Sequence, residues 1–312
     1  MVALPLYRIL GRTQLSVSEI SLGTVQFGMP YGIPGPNGRL PELSEKESLG
    51  VIRRAIEAGV NFLDTARNYG TSEAVIGRAL KKRPEEIYVA TKLEPLAEEL
   101  SDHEMKKNIL ASIEASRKTL GREVIDIMQV HNATEALLQR EIIRDTLITA
   151  QSKEWIRYKG VSTYGPEAPL KAIQEDYWDT VQVEFNVLNQ NCLPVFEAAA
   201  TKNVGVIVRS AMLKGALTTP DIPASLQPIR QEALKLPDFF ERSDLSIPQI
   251  CLLYVLSHLQ VATVLTGVVS ADQLQENLAV RELDSFTTDQ LREAREKYQA
   301  NALLTDPRQW QI

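Results

Sequence analysis

The feature that most constrains the fold of this chain is a regular alternation of short apolar runs with amphipathic segments. Most of the runs are continuously apolar rather than alternating, which is typical of strands covered on both faces. Eight strand–helix units in succession predict an α/β protein, specifically a closed (β/α)8 TIM barrel. The eight predicted strands are ISLGT, NFLDT, IYVATK, VIDIMQVH, YKGVST, VQVEFN, VGVIVRS and TVLTG.

Two further elements flank the predicted barrel. The segment YRILGRTQLSVS predicts an N-terminal β-hairpin with its turn near Gly11 and Arg12, and TTDQLREAREKY predicts an extra C-terminal helix. A chain of 312 residues is within the range of one such barrel, so we predict a single domain over residues 1–312. The alternative, a doubly wound open sheet, is disfavoured because no GxGxxG motif follows the first strand and no Walker A loop is present.

Capping residues mark the start and end of helices. Ser44, with Glu47 three residues later, has the pattern of a capping box, and Gly59 ends the helix that Ser44 begins. The segment TEALLQREIIRDTLITAQ predicts one continuous helix after the fourth strand.

Composition excludes several classes of function. The formal net charge of −6 argues against nucleic-acid binding, which needs a positive surface. The basic run KKR at residues 81–83 is interpreted as a solvated helix end. Cys192 and Cys251 lack the spacing of a metal site and are predicted to be core residues, which suits a reducing cytoplasm.

No targeting or membrane segment is predicted. The stretch MVALPLYRILGR lacks a signal-peptide pattern. The span Ile250 to Val269 carries no Asp, Glu, Lys or Arg and is long enough to cross a bilayer. Ser257, His258 and Thr266 interrupt this span, however, and it is interpreted as a buried helix followed by a buried strand. We therefore predict a cytoplasmic protein without membrane contact.

Four chemically capable residues are associated with three consecutive predicted strands. In a (β/α)8 barrel, active residues lie at the carboxyl ends of the strands. Those ends carry Asp64, Lys92 and His131, and Tyr69 lies in the loop after the second strand. Each residue alone has an ordinary explanation, as a helix cap, a surface lysine, a core histidine or a core-edge tyrosine. Their matching positions favour one shared catalytic site.

The arrangement resembles the aldo-keto reductase family, and its bacterial members in particular. DTARNYGTSE, ATK and QVH match the family blocks that contain Asp64 and Tyr69, Lys92 and His131. GVSTYG, VQVEFN and TGVVSADQLQEN match further blocks in order and spacing. The similarity covers nearly the whole chain, and the combination is highly specific although each piece alone is weak.

The resemblance implies an NAD(P)(H)-dependent oxidoreductase that interconverts a small carbonyl compound (an aldehyde, ketone or sugar) and its alcohol. Asp64 would orient Lys92 and keep it charged. The Lys92 ammonium would favour the phenolate form of Tyr69, and Tyr69 would protonate the carbonyl oxygen during reduction. His131, in its neutral form, would donate a hydrogen bond to the same oxygen.

The resemblance also implies a nicotinamide dinucleotide across the strand ends, with NADP(H) as the family default and NAD(H) as the alternative. Members that prefer NADPH usually carry a basic residue in the adenosine block, where Gly267, Val269 and Gln273 are uncharged here. Many members have asparagine at Thr163 and an aromatic residue at Arg209, so Arg209 would either stack on the nicotinamide or grip an anionic substrate. The implied cofactor-binding residues are Gly23, Thr24, Ser162, Thr163, Gln182, Arg209, Ser210, Leu213, Gly215, Val268, Ser270, Gln273, Glu276 and Asn277, with Lys214 also near the pyrophosphate.

Two segments, residues 29–40 and 214–246, are predicted to roof the substrate pocket, because loops carry specificity in this fold. Tyr31 and Trp155 are candidate lining residues, although helix packing is the favoured explanation for Trp155. Two other functions stay open. One is a nicotinamide-sensing binding subunit with slow turnover, and the other is a lyase that uses Lys92 as a Schiff-base amine.

Overall fold

The strands form a closed barrel and a separate hairpin. The structure is a computed structural model that describes residues 6–35, 37–81, 86–220, 222–298 and 305–310. Strands β1 (Tyr7–Ile9) and β2 (Ser16–Ser18) form the predicted antiparallel hairpin. The eight strands that follow are all parallel and close in chain order, with the last pairing with the first, which confirms the (β/α)8 barrel. They are β3 (Ile20–Gly23), β4 (Phe62–Asp64), β5 (Tyr88–Lys92), β6 (Ile125–Val130), β7 (Ile156–Ser162), β8 (Thr180–Glu184), β9 (Gly205–Arg209) and β10 (Val261–Thr266).

Helices connect successive strands around the barrel. Ser44 caps the first of them with the predicted capping box. The single helix predicted from TEALLQREIIRDTLITAQ is wrong, because Arg140 has an extended backbone and its guanidinium donates to the carbonyl oxygens of Glu98 and Leu100. The helices are α1 (Glu45–Glu57), α2 (Ser72–Leu80), α3 (Asp102–Leu120), α4 (Glu135–Leu138), α5 (Glu141–Ser152), α6 (Glu167–Gln174), α7 (Leu193–Lys202), α8 (Gln227–Ala233), α9 (Leu236–Phe239), α10 (Ile247–Leu256), α11 (Ala271–Leu278) and α12 (Thr288–Lys297).

The interior of the barrel has an apolar lower layer and a polar upper layer. Phe62, Ala90 and Ile127 form one buried cluster with Leu10 and Leu15 from the hairpin region. The hairpin therefore closes the floor of the barrel. Side chains two positions apart on a strand share a face, so the residues two positions further along β4, β5 and β6 also point inward, nearer the opposite end.

The remaining predictions about the chain have mixed outcomes. The uncharged span of residues 250–269 forms α10 followed by β10, as predicted. No helix in the described ranges is long and apolar enough to cross a membrane. Cys192 and Cys251 are buried and free. Within the basic run at residues 81–83, Lys81 is the C-cap of α2, and residues 82 and 83 lie outside the described residues.

Candidate active site

Strand register brings polar residues into one layer at the carboxyl ends of the barrel strands. Lys92 on β5 is the ladder partner of Gln129 on β6, and Ser162 on β7 is the partner of Gln182 on β8. Asp64 is the last residue of β4, next to β5. Residues far apart in the sequence therefore converge because the register places them at the same height in neighbouring strands.

A buried ion pair forms the centre of this layer. The Lys92 ammonium donates to Asp64 Oδ1 at 2.5 Å and to the backbone carbonyl of Thr65 at 2.9 Å. Lys92 is 0% and Asp64 3% exposed, so water does not screen the pair. Burial by itself lowers the pKa of Lys92, but Asp64 and Tyr69 outweigh burial and raise this pKa above its usual value. The amine is therefore a positioned ammonium at neutral pH.

The second oxygen of Asp64 accepts two amide hydrogen bonds. Gln182 Nε2 donates to Asp64 Oδ2 at 2.7 Å, and Gln129 Nε2 donates to the same atom at 3.1 Å. Ser162 Oγ donates to Gln182 Oε1 at 3.2 Å. Gln129 is missing from the predicted set, although its spacing from His131 in MQVH puts both residues on one strand face. The carboxylate is thus held in one orientation by three side chains.

Tyr69 and His131 lie next to the ion pair. The Lys92 ammonium is 5.0 Å from the centroid of the Tyr69 ring, and the Tyr69 and His131 rings meet edge to face with centroids 5.9 Å apart. Burial, together with the Lys92 and Arg209 cations, lowers the pKa of His131 to about 3, so its imidazole is neutral at physiological pH. The structure therefore brings the four candidate catalytic residues into one cluster.

Two glycines let the loop that carries Tyr69 pack against the loop after β3. A Cβ at Gly28 would lie 1.9 Å from the Tyr69 carbonyl oxygen and 2.3 Å from the Ser72 nitrogen. Gly70 has a φ of +54°, and its Cβ would lie 2.2 Å from the Gly28 carbonyl oxygen. The Thr71 N–H donates to that carbonyl at 3.2 Å. Backbone contact of this kind fixes the position of Tyr69 without using its side chain.

Gly28→Ala is therefore expected to displace the Tyr69 loop, because the nearest neighbours of the new methyl group are backbone atoms. Overpacking costs about 1–3 kcal/mol, and a shift of about 1 Å at a reacting group costs about 10²-fold in rate. Thermal unfolding and steady-state kinetics measure the two effects. Gly50→Ala is the matched control, since a Cβ there meets nothing within 4 Å. Equal losses of activity in the two variants would contradict the expectation.

A buried carboxylate supports the same loop. Glu73 pairs with Arg67 and accepts hydrogen bonds from the Thr91 and Ser116 hydroxyls, both at 2.7 Å. Because Thr91 precedes Lys92 on β5, this network ties the Tyr69 loop to the strand that carries the ammonium. Arg67 and Glu73 are absent from the predicted set, since a single sequence does not distinguish them from an exposed ion pair.

The residues predicted to hold a dinucleotide lie along the rim formed by β3, β7, β8, β9 and β10. Thr163 Oγ1 is buried without a hydrogen-bond partner in the described part of the chain, and such an orphaned hydroxyl fits a ligand contact. Ser210, Leu213 and Gly215 have φ values of 64°, 48° and 97°. A loop held in the left-handed region is typical of functional segments. The residues present therefore fit a dinucleotide.

Thr24 uses its hydroxyl within the protein. Its Oγ1 donates to the Asp64 carbonyl at 2.8 Å and lies 2.7 Å from Ser72 Oγ. Thr24 is fully buried, and Gly23 precedes it as the last residue of β3. Thr24 therefore joins the loops after β3 and β4 rather than presenting a free hydroxyl.

The segment predicted for the adenosine end is held by internal hydrogen bonds. Ser270 caps α11 by accepting from the Gln273 N–H at 3.2 Å, and Gln273 Oε1 accepts from the Val269 N–H at 2.9 Å. Ser246 Oγ donates to Glu276 Oε1 at 2.5 Å. The other two predicted residues of this segment, Val268 and Asn277, are buried.

Arg209, at the carboxyl end of β9, is held in place by several neighbours. Its Nη2 donates to the Thr163 carbonyl at 2.6 Å and to Glu184 Oε2 at 2.7 Å, and its Nη1 donates to Ser210 Oγ at 3.3 Å. The guanidinium carbon lies 4.2 Å from the centroid of the Tyr164 ring. Glu184 and Tyr164 were not predicted as site residues. The available signal for Glu184 is its position at the carboxyl end of β8, as the ladder partner of Arg209.

The two predicted roof segments meet at the barrel mouth. Lys214 Nζ lies 5.4 Å from the centroid of the Tyr31 ring, so the first segment contacts the second. Arg308 adds a contact from the C-terminal residues, with its guanidinium carbon 4.0 Å from the Tyr164 ring centroid. Tyr164 and Arg308 also line a cavity of about 420 Å³.

Trp155 does not line the pocket. It precedes β7, at the end of the strand opposite to the mouth. Its ring packs against the core and is flanked by Arg117 and Lys153, at 5.3 and 4.7 Å from the ring centroid. The pocket role considered for Trp155 is therefore wrong, and the helix-packing explanation is confirmed.

Comparisons with known proteins agree with the fold. Residues 19–299 match the model of the aldo/keto reductase family. The chain is 25% identical over 305 residues to the uncharacterized oxidoreductase YqkF of Bacillus subtilis, covering 91% of this chain and 94% of that protein. It is 26% identical over 319 residues to the NADH-specific methylglyoxal reductase of Escherichia coli, covering 90% and 94%. Its fold resembles the holo form of the aldo-keto reductase AKR11C1 from Bacillus halodurans, with a TM-score of 0.78, 22% identity and coverage of 97% and 99%.

The fold and the family match together define a nicotinamide-dependent oxidoreductase. The chain belongs to the aldo-keto reductase family. The predictions of fold class, family and enzyme class are thus confirmed.

Proposed function

We propose that this protein reduces an aldehyde, ketone or sugar to its alcohol with NAD(P)H, or catalyses the reverse oxidation, with Tyr69 as the proton donor. The observation that carries the proposal is the buried Lys92 ammonium, which donates to Asp64 and lies 5.0 Å from the Tyr69 ring. A bound nicotinamide would supply the hydride, and the protein side chains would handle the proton. We further propose that residues 1–312 act as one domain in the cytoplasm, which the two free buried cysteines support.

Proton delivery depends on the effect of Lys92 on Tyr69. When the phenol gives its proton to the carbonyl oxygen, a phenolate remains. The Lys92 ammonium stabilises this charge, because unlike charges attract strongly where little water is present. Asp64 holds the ammonium in position, and Gln129 and Gln182 hold Asp64. These contacts prepare the site before the substrate arrives.

His131 would orient the carbonyl oxygen. A neutral imidazole donates one hydrogen bond, and the edge-to-face contact with Tyr69 brings both side chains near the same point. Because burial first and nearby cations second lower the pKa of His131 to about 3, the imidazole stays neutral during turnover. His131 therefore does not compete with Tyr69 as the acid.

The same rim would hold the dinucleotide. Two observations support this assignment: the Thr163 hydroxyl is buried without a partner among the described residues, and Ser210, Leu213 and Gly215 have positive φ values, which are typical of functional loops. The other residues proposed to contact the cofactor are Gly23, Thr24 through its backbone, Ser162, Gln182, Leu213, Val268, Ser270, Gln273, Glu276 and Asn277.

The geometry disfavours a Schiff-base lyase. Imine formation needs an accessible, uncharged amine. Lys92 is fully buried, and its pKa is raised. A nicotinamide-sensing subunit, by contrast, would have the same site residues as a reductase. It would be distinguished by tight dinucleotide binding with slow turnover.

A panel of aldehydes, ketones and aldoses, each assayed with NADPH and with NADH, tests the proposal. The absorbance of reduced nicotinamide reports turnover in both directions. We expect turnover of at least one small carbonyl compound at a rate typical of enzymes, with kcat of about 1 s⁻¹ or more. Dinucleotide binding without turnover of any compound would favour the sensing subunit and overturn the reductase.

Weak discrimination between NADPH and NADH is also expected. The 2′-phosphate of NADP(H) needs a cation, and residues 267–280 contain no Lys or Arg. Titration of the intrinsic fluorescence should therefore give dissociation constants within about tenfold of each other, which is about 1.4 kcal/mol. Val269→Arg should raise the preference for NADPH by on the order of 10- to 100-fold, whereas the uncharged control Val269→Gln should not. A large NADPH preference in the wild-type protein would contradict this expectation.

A further inference from the structure

Among the described residues, Arg209, Lys214 and Arg308 are cations at the mouth of the barrel, in addition to the buried Lys92. Arg209 pairs with Glu184 and Arg308 pairs with Asp306, each at 2.7 Å. Lys214 forms no ion pair within 4.0 Å in the described part of the chain, although Asp306 is near enough to favour its charged form. The mouth therefore keeps a cation that no carboxylate of the described residues directly contacts.

Arg209 is prepared to bind an anion. Its bonds to the Thr163 carbonyl, Glu184 and Ser210 use three of the five N–H groups of the guanidinium. The N–H at Nε and the second N–H at Nη1 have no partner among the described residues, and the Arg209 side chain is 19% exposed. Glu184 and the Tyr164 ring already order the Arg209 side chain. Binding of a ligand would therefore cost little further side-chain conformational entropy.

Lys214 lies on the same side of the mouth. Its ammonium is 5.4 Å from the Tyr31 ring centroid, and both Leu213 and Lys214 have positive φ values. Burial, followed by the nearby Arg209, lowers the pKa of Lys214. The two cations are therefore close enough to repel each other, and an anion between them would relieve this repulsion.

We infer that Arg209 and Lys214 form an anion subsite, which selects carbonyl substrates that carry a carboxylate or a phosphate group. The inference rests on the proposed carbonyl reduction at Tyr69. Arg209 is close enough to His131 and Tyr69 for their charges to interact, so a small substrate held between those two residues extends toward the cations. The free N–H groups of the guanidinium can donate charge-assisted hydrogen bonds to either anion, and the ammonium adds a point charge.

The test compares two pairs of substrates that differ in one anionic group: 4-oxobutanoate with butanal, and glyceraldehyde 3-phosphate with glyceraldehyde. For the wild-type protein, we expect a higher kcat/KM for the anionic member of at least one pair, and the pair that responds identifies the anion. In Lys214→Gln, the ratio of anionic to neutral kcat/KM should fall by on the order of tenfold or more. Added salt should lower the same ratio in the wild-type protein.

Lys153→Gln is the matched control, because it removes the same charge from an exposed position outside the mouth and should leave the ratio unchanged. An unchanged ratio of anionic to neutral kcat/KM in Lys214→Gln would overturn the anion subsite. If that variant still reduces the neutral aldehydes, the proposed reductase activity stands. A higher KM for both dinucleotides with an unchanged ratio would also overturn the anion subsite, and it would assign Lys214 to cofactor binding. If the wild-type protein reduces none of the four compounds or any other carbonyl, the reductase and the subsite fail together.

Discussion

Tyr69→Phe is expected to lower kcat for carbonyl reduction by about 10²- to 10⁴-fold, the usual contribution of a positioned acid, while dinucleotide binding survives. The substitution removes one oxygen atom and keeps the ring that contacts His131 and lies near the Lys92 ammonium. The variant therefore preserves the shape of the site but lacks the phenolic proton that Tyr69 would donate. Steady-state kinetics with an accepted substrate and fluorescence titration with dinucleotide measure the two effects.

Tyr177→Phe is the matched control for this prediction. The Tyr177 hydroxyl donates to the Arg144 carbonyl at 2.9 Å, away from the mouth, so its loss should affect stability and spare kcat. Near-normal turnover of every accepted substrate by Tyr69→Phe would falsify the assignment of the proton donor.

Because the pKa of His131 is about 3, the wild-type rate should also show no titration of His131 between about pH 5 and 8.

Lys92→Met is expected to lose both activity and stability, with a fall in the free energy of unfolding of about 3–5 kcal/mol. The substitution leaves the Asp64 carboxylate buried, 3% exposed, with amide donors but no cation. It also removes the charge that stabilises the phenolate of Tyr69. Urea unfolding measures the first loss, and kcat at saturating dinucleotide measures the second.

Lys159→Met separates these two effects. Lys159 is 7% exposed and pairs with Asp179 at 3.4 Å, outside the cluster at the mouth, so its loss should lower stability and leave kcat unchanged. If Lys92→Met behaved in the same way, the proposed effect of the ammonium on proton transfer would be wrong.

Borohydride treatment of the wild-type protein with substrate should leave no adduct at Lys92, whereas a covalent adduct would support the lyase.

The barrel and its polar strand ends could be predicted because their signals are local. A continuous apolar run identifies a buried strand, and the first ionisable residue at its end identifies the strand end. Asp64 and Lys92 are the last residues of β4 and β5, and His131 directly follows β6. Predicting Tyr69 as a site residue also required the family resemblance, because Tyr69 lies in a loop and the hydrophobic periodicity of the sequence does not predict the path of a loop.

The supporting residues could not be predicted because their roles arise from contacts between distant segments. Gln129 bonds to Asp64 across 65 positions of sequence, and Gly160 provides the space for it, since a Cβ there would lie 3.1 Å from Gln129 Cγ. Gly28 matters only because the Tyr69 loop folds against it. The break at Arg140 likewise depends on carbonyl groups outside the helix. A single sequence records none of these pairings.

The hairpin under the barrel determines how protons reach the site. Leu10 and Leu15 pack into the lower layer, so the described residues cover Lys92 and Asp64 from below. Substrate, dinucleotide and exchanging protons therefore share one opening. On the proposed mechanism, reactants bound at the mouth would lie across that opening, and the phenolate of Tyr69 would regain its proton after the product has left. Each reduction would thus use a proton that the enzyme took up before the reactants bound.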